Sequence, residues 1–215
     1  MVVNGKKTTI VCVSDASSYE ADAYMYDEDG ERIGCQPGFK ALGMRFSNRP
    51  NVDAQVEAVR KGMRMRLWMI RNLQNSGFST AELVRVYTTM IRPVVEYAAV
   101  VYHSSLTDEQ DEALENLQNN ALRMIFGLGI SARKMREAAG IPTLRSRRED
   151  LCDKFAIKCS KLPQFEAWFR PKNTRGSSRL KGKEVYLETR ARCERLKNSP
   201  LHYFRRRLNG KPGKV

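Results

Sequence analysis

Carboxylates, histidines and cysteines are the side chains that most often hydrolyse, transfer or hold metal, and here their spacing argues against such work. The densest acidic stretch is YDEDG, Tyr26 to Gly30. Paired carboxylates on a hairpin can hold Mg²⁺ for phosphoryl transfer. An Asp-Gly pair between two short runs is, however, first of all a hairpin tip. The two histidines, His103 and His202, are too isolated for a Ser-His-Asp or Cys-His set. The five cysteines, Cys12, Cys35, Cys152, Cys159 and Cys193, stand singly and include no C-x-x-C pair, so a four-ligand zinc site is not expected. No glycine-rich phosphate loop occurs. The expectation is a chain with no metal site and no cofactor of its own.

Cations point elsewhere. The formal net charge is +14 over 215 residues, and it is unevenly distributed. Residues 1–160 hold 22 Lys/Arg against 20 Asp/Glu, whereas residues 161–215 hold 16 against 4. A polyphosphate is the natural partner for such a segment, because binding releases condensed counterions. The densest cluster is Arg205, Arg206 and Arg207, read as a non-specific phosphate contact. RNA or DNA is therefore the expected partner, bound with little sequence preference. No apolar run approaches the roughly 18 residues of a membrane span, and the basic, polar start carries no export signal. An intracellular protein, nuclear or in a cytoplasmic ribonucleoprotein and not secreted, is expected, with its thiols reduced.

Elements must place these residues. In the first fifty residues, Thr8–Val13 is β-branched and strand-like, Ala21–Tyr26 and Glu31–Ile33 flank the DEDG turn, and Phe39–Phe46 reads as a further strand. From Asn51 the period is helical. Val52, Val56, Val59, Met63, Leu67, Ile70 and Leu73 form one face of a long helix, and Gly77 stops it. STAE, Ser79 to Glu82, is a capping box. The helix it opens contains Pro93, which predicts a kink or break before Val94. Thr107 opens a third helix with acids in its first turn and a stripe of Leu114, Leu117, Ala121, Leu122 and Ile125. Shorter helices are predicted over 132–139 and 144–160. Trp68, beside Leu67, reads as a core residue. In FEAWFR, Phe165, Trp168 and Phe169 read as a docking patch more than as a surface for stacking bases. RPKNTRGSSRLKGKE is polar, basic and rich in breakers, a linker or disordered stretch. Leu201, Tyr203, Phe204 and Leu208 suggest a short amphipathic helix beyond it. The fold class is thus α+β: a small antiparallel β piece (1–50), a helical bundle (51–160) and a basic, partly disordered tail (161–215).

Several of these segments, in this order, resemble the end of the reverse transcriptase of non-LTR retrotransposons of the RTE or jockey type. Asn4-x-x-Lys7-Thr8 is similar to the N-x-x-K-T segment late in their palm, and Lys40-Ala41-Leu42-Gly43 to their K-x-L-G strand. AQVEAVRKGMRMRLWMIRNL resembles the start of the thumb. LVRVYTTMIRPVVEYAAVVYH resembles their L-x-x-x-Y-x-x-x-I/V-R-P-x-x-E-Y-A run, the most specific of the matches. LENLQNNALRMIFGL, AGIPTLRSRREDL and RLKNSPLHYFRRRLN resemble the helices and basic end that follow. The likeness covers roughly residues 3 to 210.

The resemblance implies a palm end, a thumb and a tail. The family's catalytic Asp-Asp hairpin, and the Mg²⁺ it holds, would lie upstream of Met1, so no polymerase activity is expected of this chain. Lys7 matches a lysine near the leaving pyrophosphate, where an ammonium stabilises charge. Leu42 and Gly43 match a primer-grip strand, where a residue without Cβ lets a backbone approach. Arg60, Lys61, Arg64 and Arg71 would face the template–primer backbone from the thumb. A missing palm and fingers segment, or an oligomer, would complete the structure. Two alternatives remain: a stand-alone basic RNA- or DNA-binding module, and a helical protein-interaction domain.

Overall fold

The computed structural model describes residues 8–12, 24–27, 29–48, 51–170, 186–188 and 193–211. They form an α+β protein in two units, Met1–Val59 and Arg60–Val215. The division falls inside the first long helix, later than the change of composition near residue 50.

In the first unit, β1 (Tyr24–Tyr26) pairs antiparallel with β2 (Arg32–Gly34), Tyr24 opposite Gly34 and Tyr26 opposite Arg32. Asp27 builds the tip: its Oδ1 accepts the N–H groups of Asp29 at 3.1 Å and Glu31 at 2.7 Å. This is the local bonding that makes Asp a turn former. The DEDG hairpin is therefore present, and a carboxylate oxygen of its first acid is engaged by backbone.

The strand expected over Phe39–Phe46 is instead a second hairpin, β3 (Gly38–Ala41) against β4 (Met44–Ser47). Leu42 and Gly43 form the turn, with φ of +46° and +83°. Two positive φ values give a two-residue turn whose twist matches that of the strands. Glycine adopts this freely, while for leucine the left-handed region costs on the order of 1 kcal/mol. Phe39 stacks on Phe46 across the hairpin with centroids 4.9 Å apart. The expected strand Thr8–Val13 is reduced, among the described residues, to a single parallel bridge between Ile10 and Cys35. The Arg45 N–H donates to Gln55 Oε1 at 3.0 Å, tying β4 to the start of α1 (Asp53–Asn75).

Along α1, Val56, Val59, Met63, Leu67 and Ile70 of the predicted stripe are buried, as is Gln55, while Leu73 and, ahead of the helix, Val52 are half-buried. In the second unit Gly62 lets α1 approach closely, since a Cβ there would lie 3.1 Å from Val94 Cγ1. The capping box at Ser79 forms: the Ser79 N–H donates to Glu82 Oε2 at 2.8 Å, and Ser79 Oγ accepts from the Glu82 N–H. The Ser79 hydroxyl, which donates to Glu82 Oε2 at 2.6 Å, and then the Ser79 N–H hold the Glu82 carboxyl below its ordinary range.

Helix α2 (Thr80–Val86) does not break at Pro93. It widens into a π turn, Tyr87–Ile91, closed by the Arg92 N–H donating to the Tyr87 carbonyl, and runs on as α3 (Arg92–Glu96). A wider turn ahead of the proline accommodates its missing N–H without a sharp stop. The break comes later, at Tyr97 (ψ 125°) and Ala98 (φ +56°), before α4 (Ala99–Tyr102). Helices α5 (Asp108–Phe126), α6 (Ala132–Ala139) and α7 (Leu144–Ser160) follow, each begun by a Thr or Ser cap. The predicted stripe of α5 is buried throughout.

The short amphipathic helix expected near the end forms, and it goes into the core. After α8 (Glu194–Lys197), helix α9 (Pro200–Leu208) packs on α7. Tyr203 and Phe204 join Cys152, Ala156, Cys159 and Phe169 in one buried cluster. Phe155 meets Phe204 at 5.6 Å, and His103 meets Tyr203 edge-on at 5.4 Å. Asn209 closes the arrangement: its Nδ2 donates to the Tyr186 carbonyl and its Oδ1 accepts the Tyr186 N–H, both at 3.0 Å. Residues 200–209 thus belong to the core of the second unit. Of the predicted linker, 170–184, all but Arg170 lies outside the described residues. No helix among the described residues is long and apolar enough to cross a membrane.

Candidate nucleic-acid interface

The residues named by the sequence fall into four places. Lys7 lies outside the described residues. Leu42 and Gly43 sit at a hairpin tip and not within a strand, with the Leu42 side chain 94 % exposed. Arg60, Lys61, Arg64 and Arg71 are on α1, Arg60 half-buried and the other three exposed. Arg205, Arg206 and Arg207 are on α9.

Of the α9 arginines, Arg205 is buried and Arg207 is engaged with an acid, so the run does not lie on the surface as one cluster. Arg205 is 7 % exposed and donates from Nε to the Trp168 carbonyl at 2.7 Å. Burial and the neighbouring Arg170 lower its pKa, the direction expected of a desolvated cation. Arg207 pairs with Asp153 of α7 in a two-pronged contact, Nε to Oδ1 at 2.8 Å and Nη2 to Oδ2. The hydrogen bond to Asp153 raises its pKa. Arg206 is half-buried. Three consecutive residues of a helix point in three directions, so a run of arginines on a packed helix must put part of its charge inside.

On α1 the same residue type behaves differently. Lys61, Arg64 and Arg71 step by three and seven residues, which keeps them on one side of the helix. That side lies away from the stripe of Met63, Leu67 and Ile70. From Ala58 to Asn75 the helix contains no carboxylate. No acid pairs with Lys61, Arg64 or Arg71 among the described residues. Arg66 folds back along the helix, its Nη1 donating to the Gly62 carbonyl at 3.0 Å.

Two residues on this side were not anticipated. Trp68, read from sequence as core, is 69 % exposed, and Met65 is 68 % exposed. Adjacency to Leu67 misled: one residue along a helix is a rotation of about 100°. Measured from Met63 and Ile70, Trp68 falls with Lys61 and Arg64. Trp168 is partly exposed with its ring 4.9 Å from Phe165, while Phe169 is buried, so FEAWFR mainly serves packing.

The strongest concentration of acids is far from a phosphate site in character. A cleft of about 570 Å³ is lined by Asp108, Asp111, Glu112, Glu115, Thr143 and Arg145. Asp111 accepts from the fully buried Arg148 and also meets Arg145 at 3.5 Å. Glu115 Oε2 accepts the Leu144 N–H at 2.9 Å, and Gln118, also fully buried, links the Tyr87 hydroxyl at 2.7 Å to the Pro142 carbonyl at 3.0 Å. The acids read from sequence as dipole partners at the start of α5 thus include one that neutralises a core arginine. No group of three or more His, Cys, Asp or Glu placed to hold a metal ion occurs among the described residues. Burial pushes the Cys152 thiol up to about 12, far from the range of a nucleophile at neutral pH.

With these geometries in place, comparison with known proteins adds no relative: no protein-family model, no curated protein and no solved structure matches the chain.

Proposed function

We propose that this chain binds RNA or DNA through the exposed side of α1, as the thumb-like part of a non-LTR reverse transcriptase, and does not itself polymerise. The observation that carries the reading is the alignment of Lys61, Arg64 and Arg71 on one solvent face, in a stretch of helix without a carboxylate. Cations so placed contact phosphates, which position a nucleic acid without reading its sequence. The motifs from Asn4 to Asn209 that resemble the palm end and thumb support the same reading. The acids of YDEDG do not replace the family's catalytic pair, since their order and their position after Lys7 are both wrong.

Fluorescence anisotropy with labelled RNA and DNA oligonucleotides tests the proposal. Affinity should fall steeply between about 50 and 200 mM salt, and the log–log salt slope should shrink by about 0.9 for each duplex phosphate that a variant no longer neutralises. The triple variant Lys61→Gln, Arg64→Gln, Arg71→Gln should therefore bind weakly and with a flatter salt dependence. Salt-insensitive binding, or a triple variant that binds like the parent, sinks the proposal. DNA synthesis by the purified chain, above a mock-purified control, would overturn its non-catalytic part.

A further inference from the structure

Charge alone does not account for the exposed side of α1. Trp68 and Met65 stand more than two-thirds exposed there. An indole at the surface has to be weighed against its surroundings. Lys61 precedes it by seven residues, Arg64 by four, and Arg71 follows by three. Seven and four place Lys61 and Arg64 on the indole's own side of the helix, and three places Arg71 one turn further along it. The span from Lys61 to Arg71 is about 15 Å along the axis.

A flat aromatic ring among cations, on a helix segment lacking acids, has the makings of a base-stacking platform. Phosphates of a strand can lie against the cations while one base covers the indole, a geometry that tolerates any base because every base has a π face. A duplex cannot use it in that way, since its bases are already stacked on each other. A protein partner would have to bring a matching acidic rim around an apolar centre. The cations of α1, with no acid between Ala58 and Asn75, favour the polyanion.

We propose that Trp68 stacks on a base of a single-stranded nucleic acid whose phosphates lie against Lys61, Arg64 and Arg71. This deepens the nucleic-acid reading of α1 and rests on it. It assigns the ligand class, single-stranded RNA or DNA, and gives Trp68 a role separate from that of the cations.

The chain has two tryptophans, so Trp168→Phe leaves Trp68 as the sole reporter. In that background, oligo(dT) and oligo(rU) should quench the Trp68 emission, and a hairpin duplex of equal length should not. Trp68→Ala should weaken single-strand binding about tenfold and leave duplex binding and the salt slope unchanged, whereas Trp68→Phe should restore most of the loss. Trp68 lies outside the buried stripe, so circular dichroism and thermal midpoint should match the parent. If both nucleic acids bind with full salt dependence but Trp68 stays unquenched and Trp68→Ala binds normally, the cationic reading survives and stacking is overturned. If neither binds, both fall together. If light scattering shows a dimer that Trp68→Ala dissolves, with no quenching by oligonucleotides, the face belongs to a second copy of the chain and the stacking proposal is overturned.

Discussion

Helices α1 and α9 are both rich in arginine, yet they use it in opposite ways. On α9 the three consecutive cations Arg205, Arg206 and Arg207 accompany two buried aromatics, Tyr203 and Phe204, on a helix of nine residues. A helix that short, packed on α7 and on the segment near Trp168, leaves little of its girth to solvent. Two of its charges, Arg205 and Arg207, therefore meet a carbonyl and Asp153. On α1 the cations are spread over the twelve residues from Arg60 to Arg71 and the apolar stripe is confined to one side. The most charged string in the sequence is thus not the most available charge in the fold. What decides availability is the angular distance of each cation from the buried stripe, together with the acids on neighbouring elements.

The contrast can be broken most forcefully in the packed half of the molecule. Asp111→Ala should leave the fully buried Arg148 without its carboxylate and cost roughly 3–5 kcal/mol in urea unfolding, with nucleic-acid affinity measured on the folded fraction unchanged. Phe204→Ala should cost a similar amount, about 3–5 kcal/mol, by opening the cluster between α7 and α9. A cost for Phe204→Ala below about 1 kcal/mol, the size of an ordinary surface change, would mean that α9 is not part of the core in solution.

A milder pair of changes sharpens the comparison directly. Arg207→Gln should lower stability by about 1 kcal/mol or less, because its pair with Asp153 is close to one-third exposed, and should leave oligonucleotide affinity intact. Arg71→Gln should do the reverse, weakening binding several-fold at low salt without moving the unfolding midpoint. Equal effects of the two on binding would erase the distinction between the helices.

Next in size is a pH effect that begins at Cys152 of α7. Burial raises the Cys152 thiol from its ordinary 9.0 to about 12. Between those values the unfolded chain releases a proton that the folded chain keeps, so the unfolded state binds fewer protons and stability falls as pH rises. Tyr87, Tyr102 and Tyr203 are also raised by burial, but from an ordinary 10.0, so they join later. Cys152→Ala should flatten the loss of stability between pH 9 and 10 while leaving the steeper fall above it. An unchanged slope in that window would place the thiol in contact with water.

The smallest expected change lies in neither helix. Leu42→Gly relieves a leucine held at positive φ and should stabilise the first unit by about 1 kcal/mol or less. Its heat or urea transition reports this independently of binding.

Much of the helical framework was legible because its ends carry local chemistry. Ser79 with Glu82, Thr107 with Gln110, Ser131 and Thr143 each satisfy helix N–H groups through their own side chains. Such signals need no tertiary information. The Leu42–Gly43 turn was obscured because leucine disguises a position that usually selects Asn or Asp. Pro93 promised a break, but the π turn before it depends on how Tyr87 and Ile91 pack, which local sequence does not state. Arg148 stands at a position where the i, i+4 stripe of Leu144, Cys152 and Ala156 calls for an apolar residue, and only Asp111, 37 residues away, explains it. The candidate site was half legible: Arg60, Lys61, Arg64 and Arg71 were named from the sequence, whereas the exposure of Trp68 and the packing of Arg205 and Arg207 needed the faces of two helices to be fixed in space.

The docking of α9 also bears on synthesis. A chain emerging from the ribosome makes α7 well before Tyr203, Phe204 and Leu208 exist. Until those residues appear, the side of α7 bearing Cys152, Ala156 and Cys159 has no aromatic cover from α9. Domains fold as units during synthesis, and this one cannot close its core until α9 has left the tunnel. Nascent chains stalled before residue 200 should thus be caught by chaperones that recognise exposed apolar surface, and released when α9 is added.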